Sequence, residues 1–426
     1  MWRSYWTGWI IVSKWRRTLN RIALPLLAIL LVTLACGTPV TALASQTPAP
    51  FSTVASPGSL WVLTRGEAKS DQIWGIDTDS LGNIYAAGYF QSPASAPFFD
   101  MVIYKFDPQG NAVWRAQWGN QFEQKAFIVV VKEPYVFIGG TNHSSISLTD
   151  SNMVLLSLDM NSGEIVWDFT WDQGFGYEEV DGLVVEDDAI YLSGWTTGKD
   201  TSNDIAVLKL DRDGSLVWAQ TWGGDGFDTG DGQMVVDENA IYVSGRYNGT
   251  NILMGGQSVL VKFDKGTGTY LDHALWGSTV FSDGLGSTSD GSHIYVVGLI
   301  IANGNGQIFI LKYDRELNLL WAQEWGGRAG ESARVTEVDP DGNILIAGTT
   351  LSFGAGKGDI VLLQYSPDGA LNWTSTWGGP LGDTVQGMAI YGNYVYLAGS
   401  TENDSQGMAD GLVIKADRIA GRFPPP

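Results

Sequence analysis

The chain has 426 residues, 44% of them hydrophobic and 12% aromatic, with a formal net charge of −21. Arg3, Lys14, Arg16, Arg17 and Arg21 lie in the first 44 residues with no acid among them, so the remainder holds 20 basic and 46 acidic residues, a charge near −26. That balance excludes the Lys/Arg stripes that bind phosphate, so nucleic acid is not an expected partner, whereas cations and basic surfaces are attracted. A single cysteine, Cys36, excludes an intramolecular disulfide.

Residues 1–35 read as a signal peptide or membrane-targeting segment. A basic stretch precedes an apolar run from Ile22 to Ala35, too short to span a bilayer comfortably but suited to a signal-peptide core. Two cleavage readings stand. Leu34-Ala35-Cys36-Gly37 resembles a bacterial lipobox, with Thr33 where that box carries leucine, and predicts lipidation of Cys36. Ala42-Leu43-Ala44 before Ser45 is an ordinary small-x-small site. Residues 36–58, rich in Pro, Ser and Thr, read as a tether.

From residue 59 to 426 one unit recurs seven times. Its opening positions are Arg65, Trp118, Trp171, Trp222, Trp276, Trp325 and Trp377, spaced by 49 to 54 residues. Each unit holds four strand-like runs, called a to d in chain order after the opening pair. A glycine ends run b every time: Gly88, Gly140, Gly194, Gly245, Gly298, Gly348 and Gly399. The turn before run b is often Asp-x-x-Gly-Asn, as at Asp339 to Asn343. Run c is continuously apolar, as in Ile360-Val361-Leu362-Leu363, the pattern of a strand buried on both faces. Run d carries a tryptophan in six units and Tyr270-Leu271-Asp272 in the other. Of the 14 tryptophans after residue 44, twelve occupy the two repeat positions and only Trp74 and Trp195 do not. The twelve are therefore expected to wedge between packed sheets.

These features predict an all-β, seven-bladed β-propeller of four-stranded blades. The chain starts with a lone d-type run, Leu60 to Thr64, and its last unit lacks one. The N-terminal strand is thus predicted to complete the last blade by pairing near Leu412–Lys415, which closes the ring.

Trp325 to Gly348, Trp377 to Gly399 and, without the tryptophan, Arg65 to Gly88 resemble the secreted β-propeller repeats of bacteria and archaea called SBBP-type. The resemblance covers residues 59–417. It implies a propeller and an extracytoplasmic location, and no settled activity. Asp159 to Trp167 also looks like the tryptophan-docking unit of quinoprotein propellers. Asp211 to Trp218 and Ser366 to Trp373 look like the Asp-box of sialidases. In those families both are scaffold features.

No zinc-binding, nucleophile-elbow or phosphate-loop motif is present, and none of His143, His273 and His293 recurs in the repeat. An acid does recur five to seven residues after each opening position: Asp71, Glu123, Glu178, Asp228, Asp283, Glu331 and Asp383. The expected location is one mouth of the channel. There the acids either cap turns by accepting backbone N–H groups or gather around a cation such as Ca²⁺. With Trp74 and Trp195, and the long, varied b–c loops on the same face, they form the candidate binding surface. The function read from this is an exported, monomeric, non-catalytic module for a protein or glycan at the cell surface, membrane-bound only through its N-terminus. The rival is an extracytoplasmic propeller enzyme, either a sugar lyase or hydrolase or a quinoprotein-like oxidoreductase; a shifted carboxylate pair beside a basic residue would favour it.

Overall fold

The computed structural model describes residues 59–426 apart from 67–69, 92–97, 144–149, 175, 199–201, 249–254, 278–279, 303, 404 and 406–407. The targeting segment, Cys36 and most of the tether lie outside the described residues. Seven four-stranded antiparallel sheets form the propeller, each ordered a-b-c-d from the channel outward. The innermost strands are Gln72–Thr78, Gln124–Lys132, Glu178–Val185, Met234–Val236, Ser282–Ser289, Glu331–Val338 and Asp383–Tyr391, for blades 1 to 7.

Closure occurs as the leftover run predicts. Trp61–Arg65 is the outer strand of blade 7, with Trp61 opposite Lys415 and Thr64 opposite Leu412. A buried ion pair reinforces the seam between blades 6 and 7. Arg418, after strand c of blade 7, reaches Asp339 of blade 6 at 3.0 Å and Asp341 at 2.8 Å.

Strand c is the spine of each blade. Ile360, Val361, Leu362 and Leu363 are all fully buried, because neighbouring blades cover both faces. The run-d tryptophans dock each blade on the next. A Cβ on Gly163 would lie 2.9 Å from the Trp114 ring, and one on Gly214 would lie 2.9 Å from Trp167. Only glycine leaves room there, and each of these turns has positive φ. Polar groups follow the same path: Trp321 Nε1 and Lys312 Nζ both donate to Pro367 O in the next blade, at 3.2 and 3.0 Å.

Blade 4 breaks this rule, and blade 5 compensates. Asp272 replaces the docking tryptophan, and the facing turn position holds Leu317 at φ 65° instead of glycine. Leu317 is 8% exposed and packs in the blade 4–5 core, so its side chain fills space that an indole occupies elsewhere. The burial offsets the strain of a left-handed, non-glycine turn, roughly 1–3 kcal/mol.

Candidate functional site

Five of the recurrent acids sit where strand a begins, and each serves its own blade. Asp228 Oδ2 accepts the Gly224 N–H at 2.5 Å and Oδ1 accepts the Asn248 N–H at 2.7 Å. Glu331 accepts from Gly327 N at 2.8 Å, Ser352 N at 3.1 Å and Thr350 Oγ1 at 3.2 Å. Asp383 accepts from Gly379 N and Asn403 Nδ2 at 2.9 and 2.8 Å. Glu178 accepts from Thr196 Oγ1 at 3.0 Å, and Asp71 accepts from Gln91 N at 3.3 Å. One side chain thus ties the d–a loop or the b–c side to the start of the inner strand. Among the described residues, no group of three or more His, Cys, Asp or Glu side chains is placed to hold a metal ion.

Two of the seven acids are not equivalent to the rest. In blade 2 the latch is Gln124, whose Oε1 accepts Asn120 N at 2.9 Å, while the neighbouring Glu123 pairs with Lys125 at 2.6 Å. In blade 5 the latch is Ser282, which accepts from Ser258 N and donates to Trp276 O. Asp283 is one residue further on, 3.8 Å from Arg246, and its Oδ1 has no hydrogen-bond partner among the described residues. Counting from the opening tryptophan places Glu123 and Asp283 one residue off the latch.

The chemistry lies three residues beyond the latch. Strand a carries a β-bulge in six blades, and the extra residue points into the channel. These residues are Trp74, Phe127, Asp181, Leu285, Arg334 and Gln386, and Asp231 takes the same place in blade 4. The bulge also accounts for the recurrent glycine, which lies within strand b rather than at its end. A Cβ on Gly88, Gly194 or Gly399 would lie 1.8–1.9 Å from a strand-a carbonyl oxygen. The glycines after several bulges let neighbouring inner strands meet: a Cβ on Gly75 would lie 2.6 Å from Val129 N, and one on Gly387 2.3 Å from Trp74 O.

The bulge residues line a cavity of about 370 Å³ inside the channel. Its walls differ in kind. Blades 1 and 2 supply aromatics: the Trp74 and Phe127 rings are 5.0 Å apart, and Trp74 Nε1 donates to Gln72 Oε1 at 2.9 Å. Blades 3 and 4 supply carboxylates, Asp181 and Asp231. Blade 6 supplies Arg334, whose guanidinium lies 5.3 Å above the Trp74 ring. Asp77 and Glu337, three residues further along their strands than Trp74 and Arg334, also line the cavity.

Burial governs the titration of these groups. It pushes Glu337 up to about 8, with Asp77's charge adding to the effect. It pushes Asp77 up to about 6, although the N–H groups of Val131 and Thr78 pull the other way. Asp181 is raised by burial, then by Glu179 and Asp231, and Arg334 opposes the rise. Glu179 is raised by burial and Asp231 against the same guanidinium. Asp283 is raised by burial and by its contact with Asp231. At the latch level, burial also lifts Glu178, to about 7.

Of the residues predicted for the binding surface, Trp74 lines this cavity. Asp71, Glu178, Asp228, Glu331 and Asp383 form the latch ring, and Asp283 lies beside the cavity. Trp195 is paired with Glu179 on strand b and is partly exposed. Most of the b–c loops at 92–97, 144–149, 199–201 and 249–254 lie outside the described residues. Sequence reasoning missed Asp181, Arg334 and Glu337, and noticed Asp231 only as a neighbour of Asp225 and Asp228 in an acidic cluster. The available signal was a glycine just after an odd residue within run a: Trp74-Gly75, Asp181-Gly182, Asp231-Gly232, Leu285-Gly286 and Gln386-Gly387.

A family model described as outer membrane protein assembly factor BamB, of the PQQ repeat type, matches residues 100–243 and 152–421. No curated protein matches the sequence. Among solved structures, the WD40 β-propeller domain of Doa1 is similar at 12% identity and a TM-score of 0.50, covering 86% of this chain and 96% of that one. The quinohemoprotein alcohol dehydrogenase from Comamonas testosteroni matches at 13% identity and a TM-score of 0.49, over 87% of this chain and 77% of that one. The β-propeller domain of the Trilobed protease from Pyrococcus furiosus matches at 9% identity and 0.49, over 83% and 96%.

Proposed function

The chain belongs to the outer membrane protein assembly factor BamB family, and from that premise we propose that it is an exported, non-catalytic binding propeller that recognises its ligand in the central channel. The observation that carries this reading is the bulge ring. Seven blades of one repeat present seven positions to one cavity, filled by two aromatics, two carboxylates, a guanidinium, an amide and a leucine. A concave site with a few convergent polar groups on a rigid scaffold is a binding site in form. The basic-then-apolar N-terminus and the SBBP-type look of the repeats support export. Propellers of the BamB and WD40 kinds commonly mediate protein interactions, which supports a macromolecular partner in the cell envelope.

One observation favours a second reading, an acid–base enzyme. Glu179 and Asp181 are neighbouring carboxyls raised by burial, and Arg334 bears on both. Such groups suit proton transfer near neutral pH. A quinone cofactor of the PQQ type, itself a polycarboxylate, does not fit a cavity walled by Asp77, Asp181, Asp231 and Glu337 with a single guanidinium.

A thermal-shift survey of small molecules, peptides and glycans against the full chain tests the proposal. Ligands should raise Tm in the wild type and in Trp195→Ala, and fail to do so in Trp74→Ala. Hits lost in Trp195→Ala and retained in Trp74→Ala would move recognition to the loop face. Turnover of any hit, abolished by Asp181→Asn, would install the enzyme reading. Export has its own check: mass spectrometry of the mature chain should find acylated Cys36 as its first residue, and a chain starting at Ser45 would refute lipidation.

A further inference from the structure

We propose that the channel cavity receives a hydrogen-bonding organic cation, a guanidinium or primary ammonium group, seated between the Trp74–Phe127 wall and the carboxylates of Asp181 and Asp231. The inference rests on the reading of the channel as the binding site, and adds the chemical class of its ligand.

Charge comes first. Asp77, Asp181, Asp231 and Glu337 line the cavity, and among the described residues Arg334 is the one basic residue that does. An enclosed surplus of carboxyl groups favours a cation and repels an anion. Hydrogen bonding narrows the class. Asp181 Oδ2 and Gln233 Oε1, both on cavity-lining residues, have no donor among the described residues. Leaving such acceptors unpaired is costly, and their terminal torsions are soft enough to turn either oxygen toward a ligand. Matching them takes a cation that carries N–H groups, which a quaternary ammonium lacks.

The aromatic wall points the same way. Arg334 already holds a guanidinium over Trp74 at 5.3 Å, and its side chain makes no hydrogen bond or ion pair among the described residues. Trp74 thus accepts a guanidinium on its face, and Arg334 acts as a resident competitor that an incoming cation displaces. A volume of about 370 Å³ admits a small organic molecule or one extended side chain. A bare divalent ion is disfavoured, since no group of three or more suitable ligands is assembled among the described residues.

Isothermal titration of the full chain at pH 8 with agmatine and, separately, with a capped Gly-Arg-Gly peptide tests this. At least one should bind with a Kd below about 1 mM. Asp181→Asn and Trp74→Ala should each weaken binding tenfold or more, while Arg334→Gln should tighten it. Binding of agmatine alone would identify a free small cation as the ligand, and binding of the peptide alone a protein side chain. Silence of both cations in the wild type and in Arg334→Gln overturns the proposal. So does tetramethylammonium binding as tightly as agmatine. Sorbitol binding that depends on Trp74, with no cation binding, overturns the ligand class and leaves the channel reading standing. Cation binding indifferent to both Asp181→Asn and Trp74→Ala overturns the two together.

Discussion

The propeller contains two rings of side chains only three residues apart along strand a, and they differ in kind. The latch ring, Asp71, Gln124, Glu178, Asp228, Ser282, Glu331 and Asp383, repeats a short polar or acidic residue in every blade. Its members accept hydrogen bonds from their own loops. The bulge ring, from Trp74 to Gln386, has no common residue type, and its side chains line the cavity. The contrast shows that in a repeat protein recurrence marks scaffold, because every blade solves the same loop-closing problem. A position that scaffold constraints leave alone is open to specialise, so irregularity on a shared face marks the site.

Substitutions should separate the two kinds of carboxyl group by sign as well as size. The largest effect belongs to the fully partnered Asp339. Its partner Arg418 has 4% of its side chain exposed, and Arg418→Ala leaves the buried Asp339 carboxylate with its hydrogen bonds from Asp341 N, Asn343 N and Gln364 Nε2 but without its counter-charge. Denaturant unfolding should show a loss of about 3–5 kcal/mol; a loss under 1 kcal/mol would mean that the seam between blades 6 and 7 does not depend on this pair. Next comes the latch. Asp383→Ala strands the Gly379 N–H and Asn403 amide, and should cost about 1–3 kcal/mol by the same measurement.

The channel carboxyls should respond to pH. Glu337 has its folded value raised to about 8 from an ordinary 4.5. When the folded value is the higher one, the unfolded chain loses its proton first. The contribution is therefore full below about 4.5 and is lost as pH rises to about 8. Melting curves should show Tm falling across that window, and Glu337→Gln should flatten the fall; an unchanged slope would remove Glu337 from the account. The smallest effect has the opposite sign to the latch result. Asp181→Asn removes a charge that burial disfavours, so stability at pH 8 should rise by about 1 kcal/mol. A loss comparable to that of Asp383→Ala would show that Asp181 is scaffold after all.

Much of the fold was legible because its causes are local and repeated. The run Ile360 to Leu363 is apolar on both faces, and only a sheet covered on both sides needs that. The lone run before Arg65 and the missing one after Asp417 define a ring with one seam. The site was less legible for two physical reasons. A bulge inserts one residue and redirects a side chain without altering composition, so Asp181 and Arg334 look like ordinary interruptions of an apolar strand. The sequence also presents acids at nearly constant distance from each opening position, and a one-residue shift exchanges a latch for its neighbour. Glu123 and Asp283 were aligned in this way, although Gln124 and Ser282 do the structural work. Trp74 stood out only because it was a tryptophan away from the repeat positions.

The central claim is that the channel carboxyls of Glu337 and Asp181 titrate above the ordinary carboxyl range, while Asp383 at the latch serves its loop as a hydrogen-bond acceptor. The most direct measurement is a difference proton titration of the full chain against the double variant Asp181→Asn, Glu337→Gln. The account predicts that, of the two protons missing from the variant, Glu337's leaves the wild type near pH 8 and Asp181's leaves above the ordinary aspartate range. Release of both below pH 5 would contradict it, because the channel would then hold ordinary solvated carboxylates and the two rings would be alike.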